Sequence, residues 1–220
     1  MEEPSSSGTA ASPNDYHALQ TAWINERHAP DLLPHQDDLL GRIKEAISKQ
    51  EARIEELGDG EGIARSLYEM ELERVNFQFR NYLRTRLEKI SRMAIWASQQ
   101  AEAEAAANPE AAPSLLSPAE ANFLRKYLSL YQDHIDAEAW DKVAGGREEL
   151  PSGIRQISAV PSLVIVPDMS SHVFCRALRS CEPFTLPNST QVLKLSEGDI
   201  VLLPYQPVRH LLLNGSIQLT

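Results

Sequence analysis

The chain has 220 residues, of which 31 are acidic and 21 are basic, so its formal net charge is −10. This length suffices for a real hydrophobic core, whereas so acidic a surface disfavours binding to a phosphate backbone, except at a local site within an assembly. No run approaches about 18 consecutive apolar residues, and the amino terminus lacks the basic and apolar regions of a signal peptide. We therefore expect a soluble intracellular protein.

The first predicted elements are a tail and two helices. Residues 1–13 are small and acidic and cannot bury enough apolar surface to become ordered. Leu19 and Trp23 mark a short amphipathic helix that begins near residue 14 and ends before Pro30, because the residue before a proline is pushed out of the helical region. Apolar residues then recur at spacings of three and four from Leu40 to Leu57, which predicts a second helix ending at Gly58.

One long helix is predicted from Ile63 to about Trp96, a stretch without proline or internal glycine. About 34 residues at 1.5 Å each make a rod of roughly 50 Å, whereas a compact helical unit of this size has a radius of gyration of about 14 Å. Apolar residues line two sides of this helix, so one neighbouring layer cannot cover both. We infer a helix shared between its own fold and another chain. The main stripe consists of Tyr68, Leu72, Val75, Phe79, Tyr82, Ile90 and Met93, and the smaller patch of Ile63, Leu67, Met70 and Phe77.

Arg86 lies in the middle of the main stripe. An unpaired guanidinium in an apolar seam costs several kcal/mol, so we expect it to meet a carboxylate from another helix or chain, or to reach solvent. Structural pairing is the favoured interpretation, and specification of a partner is the alternative. Our hypothesis is that Arg86 fixes the register of an interhelical contact.

A mobile connector is predicted at about residues 101–115, where an Ala/Glu run is interrupted by prolines. Ser117 and Glu120 then form a capping box with Pro118 at the first helical position, and the helix that follows is expected to end near Trp140 or Val143. Its predicted inward face consists of Phe123, Leu124, Tyr127, Leu130, Tyr131 and Ile135.

The composition changes after a linker at residues 145–160. Short runs rich in Val, Leu and Ile over residues 161–220 predict a small β-rich domain, with a hairpin turn at Ser196–Asp199 and one and a half helical turns over Val208–Leu213. The predicted fold class is therefore α+β in sequence order: a mainly α-helical bundle domain over residues 14–144 is followed by the β-rich domain. A module of about 60 residues buries too little to be robust alone, so we expect it to dock on something.

Signatures of catalysis are missing from the sequence. It contains no phosphate-binding glycine loop, dinucleotide fingerprint or GxSxG elbow. The six histidines are scattered without metal-ligand spacing, and Cys175 and Cys181 are too few for a zinc site. We expect no catalytic residue, no cofactor and no metal.

Several blocks of the chain resemble the Sld-five family of the GINS replication complex. The long helix carries the first block, Met70–Arg74 followed by Tyr82–Ile90. Further blocks follow the same order from about residue 15 to the last residue. They are Trp23–Glu26 with Pro30–Leu33, Leu116–Glu120, Pro167–Asp168 with Val173–Arg176, and the carboxyl end Gly215–Thr220.

This resemblance implies a nuclear, non-enzymatic scaffold in a heterotetramer with the three other GINS subunits. It further implies that the complex joins the MCM helicase ring and its DHH-family partner as the active replicative helicase, and links it to the leading-strand polymerase. Direct contact with DNA is expected to be weak or absent, and no membrane is involved. The candidate partner contacts are Tyr68, Leu72, Val75, Phe79, Tyr82, Arg86, Leu87, Ile90, Met93, Ile217 and Leu219.

Two alternatives remain at the level of sequence. The first is a self-sufficient helical regulatory module that binds a peptide or small ligand in a groove along the main stripe, which predicts a folded monomer with a ligand-dependent melting shift. The second is a cryptic hydrolase built from scattered His, Asp and Glu residues, for which the sequence offers no site geometry.

Overall fold

The computed structural model describes residues 13–57, 62–107, 115–139, 142, 157–186 and 192–220. Residues 1–12 of the predicted tail, the linker up to residue 156 and the expected helix end at Trp140 or Val143 lie outside these residues, while Pro13 belongs to the first helix. The described α-helices are α1 (Pro13–His28), α2 (Asp37–Glu56), α3 (Gly62–Arg92), α4 (Ala94–Ala107), α5 (Pro118–Glu138) and α6 (Tyr205–Leu213). The described strands are β1 (His172–Ala177), β2 (Phe184–Thr185), β3 (Val192–Leu193), β4 (Ile200–Pro204) and β5 (Ile217–Leu219). Helices up to residue 138 and short antiparallel strands after it confirm the α+β fold class.

Contacts divide the chain into two compact units. The first contains the described residues up to His28 and between Gln36 and Thr85, together with Thr220, and the second contains residues 29–35 and the described residues of 86–219. The boundary therefore falls within α3. The division by chain order into a helical domain over 14–144 and a β-rich domain over 161–220 stays a prediction.

The core of the first unit lies between α1, α2 and the middle of α3. Leu19, Leu40, Ile43 and Tyr82 are buried there, with Val75 and Phe79 of the main stripe packed against them. The indole N–H of Trp23 donates a hydrogen bond to Thr85 Oγ1 at 3.3 Å. These contacts explain why the amphipathic pattern of α1 and α2 faces inward: each buries its apolar side against α3.

The second unit has two buried clusters. One joins Ile90 near the end of α3 to Ala94 and Ala97 of α4, to Leu116 just before α5 and to Leu124 within α5. The other lies in the β-rich part, where β4, β1 and β5 form an antiparallel sheet in that order. Its core members include Val173, Cys175, Leu203, Val208 and Leu219.

The long helix is interrupted at Met93, so the prediction of one helix from Ile63 to Trp96 was wrong. Helix α3 ends at Arg92 and α4 begins at Ala94, although the Met93 N–H still donates to the Lys89 carbonyl at 2.9 Å. Residues around the junction, such as Ile90 and Ile95, are buried. Helix propensity depends on residue type and takes no account of tertiary packing, so it does not predict this irregularity.

Three other local expectations need correction. Residues 101–107, expected in a mobile connector, are helical and complete α4, because the Ala/Glu run is a good helix former up to the Asn108-Pro109 break. Leu130 of α5 is 68% exposed, and Phe123 is also exposed, because each lies on the helix about 100° or more away from buried Leu124. Ser196–Asp199 is a turn with Gly198 at φ +90°, but β3 and β4 on either side belong to different sheets, so it is not a hairpin.

Candidate partner-binding surface

Helix α3 presents one apolar face to its own unit and another to solvent. On the covered side, Tyr82 is buried, while Tyr68, Leu72, Val75 and Phe79 are half-buried. The Arg53 guanidinium of α2 lies 5.0 Å from the centre of the Tyr68 ring, which adds a cation–π contact to this side. The amino-terminal part of the predicted main stripe is therefore largely used to pack the chain itself.

The exposed face consists of Ile63, Leu67, Met70 and Phe77, which we call the α3 patch. Their side chains are 82%, 61%, 67% and 61% exposed. Spacings of four, three and seven place them on one side of the helix. Several large exposed apolar side chains grouped on one side of a helix are typical of an interaction site in a folded protein. The sequence showed this row as a second apolar side, but our candidate contact set did not include it.

Two charged pairs lie on the same helix as the α3 patch. Arg65 Nε donates to Glu69 Oε1 at 2.9 Å, and Arg74 Nε donates to Glu71 Oε2 at 2.9 Å. All four side chains are about half exposed, so each pair contributes little to stability.

The carboxyl-terminal part of α3 is buried in the second unit around Arg86. Its side chain is 0% exposed. The guanidinium donates through Nε and Nη2 to Glu120 Oε1 and Oε2 of α5, at 2.7 and 3.1 Å. It also donates to the Leu33 and Leu115 carbonyls, each at 2.7 Å. The prediction that Arg86 meets a carboxylate from another helix is confirmed, and the helix is within its own chain.

Glu120 serves two structural purposes at once. Its Oε2 atom accepts from the Ser117 N–H at 2.9 Å, and its own N–H donates to Ser117 Oγ at 3.2 Å, which completes the predicted capping box. His35 Nδ1 lies 3.2 Å from the same carboxylate. Burial alone would raise the pKa of Glu120, but hydrogen bonds from His35 and Arg86 outweigh this effect and lower the pKa to about 2. The carboxylate is therefore charged at neutral pH.

The remaining candidate contacts are also mostly covered by the chain. Ile90 and Met93 are buried at the α3–α4 junction, while Leu87 is half-buried. Ile217 and Leu219 are buried on the inner face of the three-stranded sheet. The role of all eleven candidate residues in partner binding stays a prediction. In the isolated chain these candidate side chains are less exposed to a partner than those of the α3 patch.

The outer face of the three-stranded sheet is a second exposed apolar surface that sequence reasoning missed. Phe174 of β1 lies directly opposite Leu202 of β4, and both are more than half exposed, as is Ile200. In β1 the side chains alternate between exposed and buried positions. Neighbouring side chains of a strand point to opposite faces. The alternation that begins at Val173 was therefore the sequence signal for this exposed face.

The described residues offer no arrangement for metal chemistry. Within the ranges that the structure describes, no group of three or more His, Cys, Asp or Glu side chains could hold a metal ion. No described helix is long and apolar enough to cross a membrane. The described residues provide a buried polar network around Arg86 and Glu120, and exposed apolar surfaces on α3 and on the three-stranded sheet.

Comparison with known families agrees with the resemblance noted in the sequence. The family described as the GINS complex protein helical bundle domain, Sld5, matches residues 62–138, which include the α3 patch, Arg86 and Glu120. The family described as the DNA replication complex GINS protein SLD5 C-terminus matches residues 167–220.

Relatives from distant organisms align along nearly the whole chain. The DNA replication complex GINS protein sld5 of Schizosaccharomyces pombe is 31% identical over 210 residues, which cover 94% of this chain and 92% of that protein. The corresponding SLD5 proteins of Arabidopsis thaliana and Homo sapiens are 29% and 27% identical, over 96% and 91% of this chain and 93% and 86% of their own lengths. The resemblance is thereby confirmed, and the chain belongs to the Sld5 family of DNA replication complex GINS proteins.

Proposed function

We propose that this chain acts in DNA replication as the Sld5 subunit of a nuclear GINS heterotetramer, as a scaffold without catalytic activity of its own. The observation that carries the proposal is the similarity to the fission-yeast GINS protein over 94% of the chain. Coverage this complete means that both the helical part and the β-rich part have counterparts in that relative. A chain of this family is expected to keep the family's role in assembly.

The α3 patch is the surface that we assign to another GINS subunit. Four large apolar side chains in a row on one helix fit the apolar stripe of a second helix, which fills the gaps between them. Arg65 and Glu69 lie more than about 100° around the helix from the centre of the α3 patch, so this pair can remain in solvent when the patch is covered. In this arrangement Arg86 holds the chain's own helices together, and the exposed face is left for the partner.

The finer part of the proposal concerns the larger machine. The heterotetramer joins the MCM helicase ring and its DHH-family partner in the active replicative helicase, in both initiation and elongation, and links that helicase to the leading-strand polymerase. The subunit contributes surfaces to this assembly and binds DNA weakly or not at all. The formal charge of −10 supports the last point, since the chain as a whole repels phosphate.

Coexpression with the three other GINS subunits tests the proposal. Native mass spectrometry of the wild-type chain should show a particle containing one copy of each of the four subunits. The double variant Met70→Glu, Phe77→Glu should be folded by circular dichroism but should be lost from that particle, because two carboxylates would be desolvated in the contact. Ile165→Glu, which places a charge at an exposed apolar residue outside the α3 patch, is the matched control and should assemble normally.

Two outcomes would contradict different parts of the proposal. A wild-type chain that stays monomeric in the presence of all three partners would overturn the assignment to a GINS complex. It would favour the stand-alone module if a ligand then raised the melting temperature. If the four-chain particle still contains the double variant, the assignment to a GINS complex stands, but the α3 patch is not the contact.

A further inference from the structure

The segment Ala29–His35 connects α1 to α2 without forming a helix or strand. Such a connection normally runs over the surface, yet Asp31, Leu32 and Leu33 are all buried. Contacts group this segment with residues 86–219 and not with the two helices that it connects. Its burial therefore depends on parts of the chain that are distant in sequence.

Apolar side chains of the segment enter two different cores. Ala29 and Leu33 belong to the buried cluster of the β-rich part, together with Val173 of β1 and Val208 of α6. Leu32, between them, belongs to the cluster formed by α3, α4 and α5. Adjacent residues of one short segment thus complete two clusters within the second unit.

The Asp31 carboxylate is held by two side chains of α6. Its Oδ1 atom accepts a hydrogen bond from the Tyr205 hydroxyl, and its Oδ2 atom accepts from Arg209 Nε at 2.7 Å. Tyr205 and Arg209 are four residues apart and so lie on one face of the helix. Tyr205 is completely buried, so this is a built carboxylate site and not a chance surface pair.

The backbone of the segment is bound by two side chains of α3. Lys89 Nζ donates to the Asp31 carbonyl at 2.7 Å, and Arg86 Nη1 donates to the Leu33 carbonyl. Side-chain contacts therefore tie the segment to α6, while carbonyl contacts tie it to α3. Burial opposes the charged form of Arg209, but the hydrogen bond that Arg209 donates to Asp31 prevails and raises the Arg209 pKa.

We propose that residues 29–35 are a docking segment bound in a receptor site of the carboxyl-terminal module, where Tyr205 and Arg209 recognise the Asp31 carboxylate and Leu33 completes the core. The receptor site takes an irregular segment with one carboxylate and apolar side chains, and this chain supplies it in cis. The module of residues 161–219 is then a discontinuous folding unit, fixed to α3 through the docking segment. This inference concerns the chain alone and does not rest on the proposed complex.

Hydrogen exchange of the full-length chain tests the docking segment. Asp31→Asn keeps the shape of the side chain and removes its charge. Breaking a buried pair costs enough free energy that amides of β1, β4 and α6 should exchange on the order of 100-fold faster through local opening, while those of α1 and α2 stay unchanged. Asp168→Asn is the matched control, since Asp168 lies in the same module but is exposed and bonded to nearby Ser170.

The distribution of the change decides between docking and general destabilisation. Faster exchange confined to the module, with Arg209→Gln giving the same pattern and the double variant adding little, supports the proposal. Exchange that is unchanged, or that rises equally in α1 and α2, overturns it. If Asp31→Asn does not fold, Tyr205→Phe removes one hydrogen bond at nearly constant volume, and the same two distributions support or overturn the proposal.

Discussion

Replacing Glu120 with alanine removes the carboxylate that pairs with buried Arg86. The guanidinium would lose its bonds to Oε1 and Oε2 and keep those to the Leu33 and Leu115 carbonyls. Removing one member of a buried ion pair costs roughly 3–5 kcal/mol, because the remaining charge stays buried. The capping bond to the Ser117 N–H is lost as well, which costs about 1 kcal/mol. Since two carbonyls still accept hydrogen bonds from Arg86, we expect the free energy of unfolding to fall by about 4 kcal/mol, near the lower end of the combined range.

Urea unfolding followed by circular dichroism measures this loss, provided that the slope against denaturant stays the same. Glu71→Ala is the matched control: it breaks an ion pair with Arg74 that is about half exposed, and should change the free energy of unfolding by less than about 1 kcal/mol. If Glu120→Ala destabilises no more than this control, the buried pair is not an important contribution to stability and the reasoning is refuted.

Three further predictions concern single groups. The pKa of Glu120 is about 2 instead of 4.5, so its ionised form stabilises the fold by about 3 kcal/mol above pH 4.5, and this contribution is lost as the pH falls towards 2. Urea unfolding at pH 7, 4.5 and 3 should show this loss, and Glu120→Gln should make the free energy of unfolding depend less on pH. Gly215 has φ +70°, so Gly215→Ala should cost about 1 kcal/mol through backbone strain, and an unchanged melting temperature would contradict that. Burial raises the pKa of the Cys175 thiol to about 11, so a thiol reagent at pH 8 should modify it only when urea unfolds the chain, and rapid labelling of the folded chain would show that the site is open.

Local chemistry explains which elements were predictable from sequence. The capping box at Ser117 and Glu120 joins groups only three residues apart, so their order along the chain already determines the contact. The helix within residues 208–213 was found as part of α6, and Asn214 and Gly215 follow its end as expected. Each of these features depends on neighbours in sequence.

Contacts between distant residues were not predictable in detail. A carboxylate partner for Arg86 followed from the cost of an unpaired charge, but nothing in the sequence distinguishes Glu120, 34 residues away, from other acids. The docking of Asp31 on Tyr205 joins residues separated by 174 positions. No local period encodes such a pairing, because it depends on how complete elements pack.

For the candidate surface as well, the sequence pattern was predictable and the packing was not. Periodicity placed apolar residues on two sides of α3, but it does not say which side the chain covers with its own helices. The structure shows α1 and α2 against Val75 and Phe79, while Met70 and Phe77 remain exposed. The larger stripe was the natural candidate for a partner, and the smaller one is the surface that remains open in this chain.

A crosslinking measurement tests the central claim most directly. A photoreactive benzoylphenylalanine at Phe77, in the chain coexpressed with the three other GINS subunits, should form a crosslink to one of those subunits that mass spectrometry can map to a helix. The same group at Ile165, exposed but outside the α3 patch, should give far less of that product. Equal yields at the two positions, or no crosslink to any GINS subunit, would contradict the account.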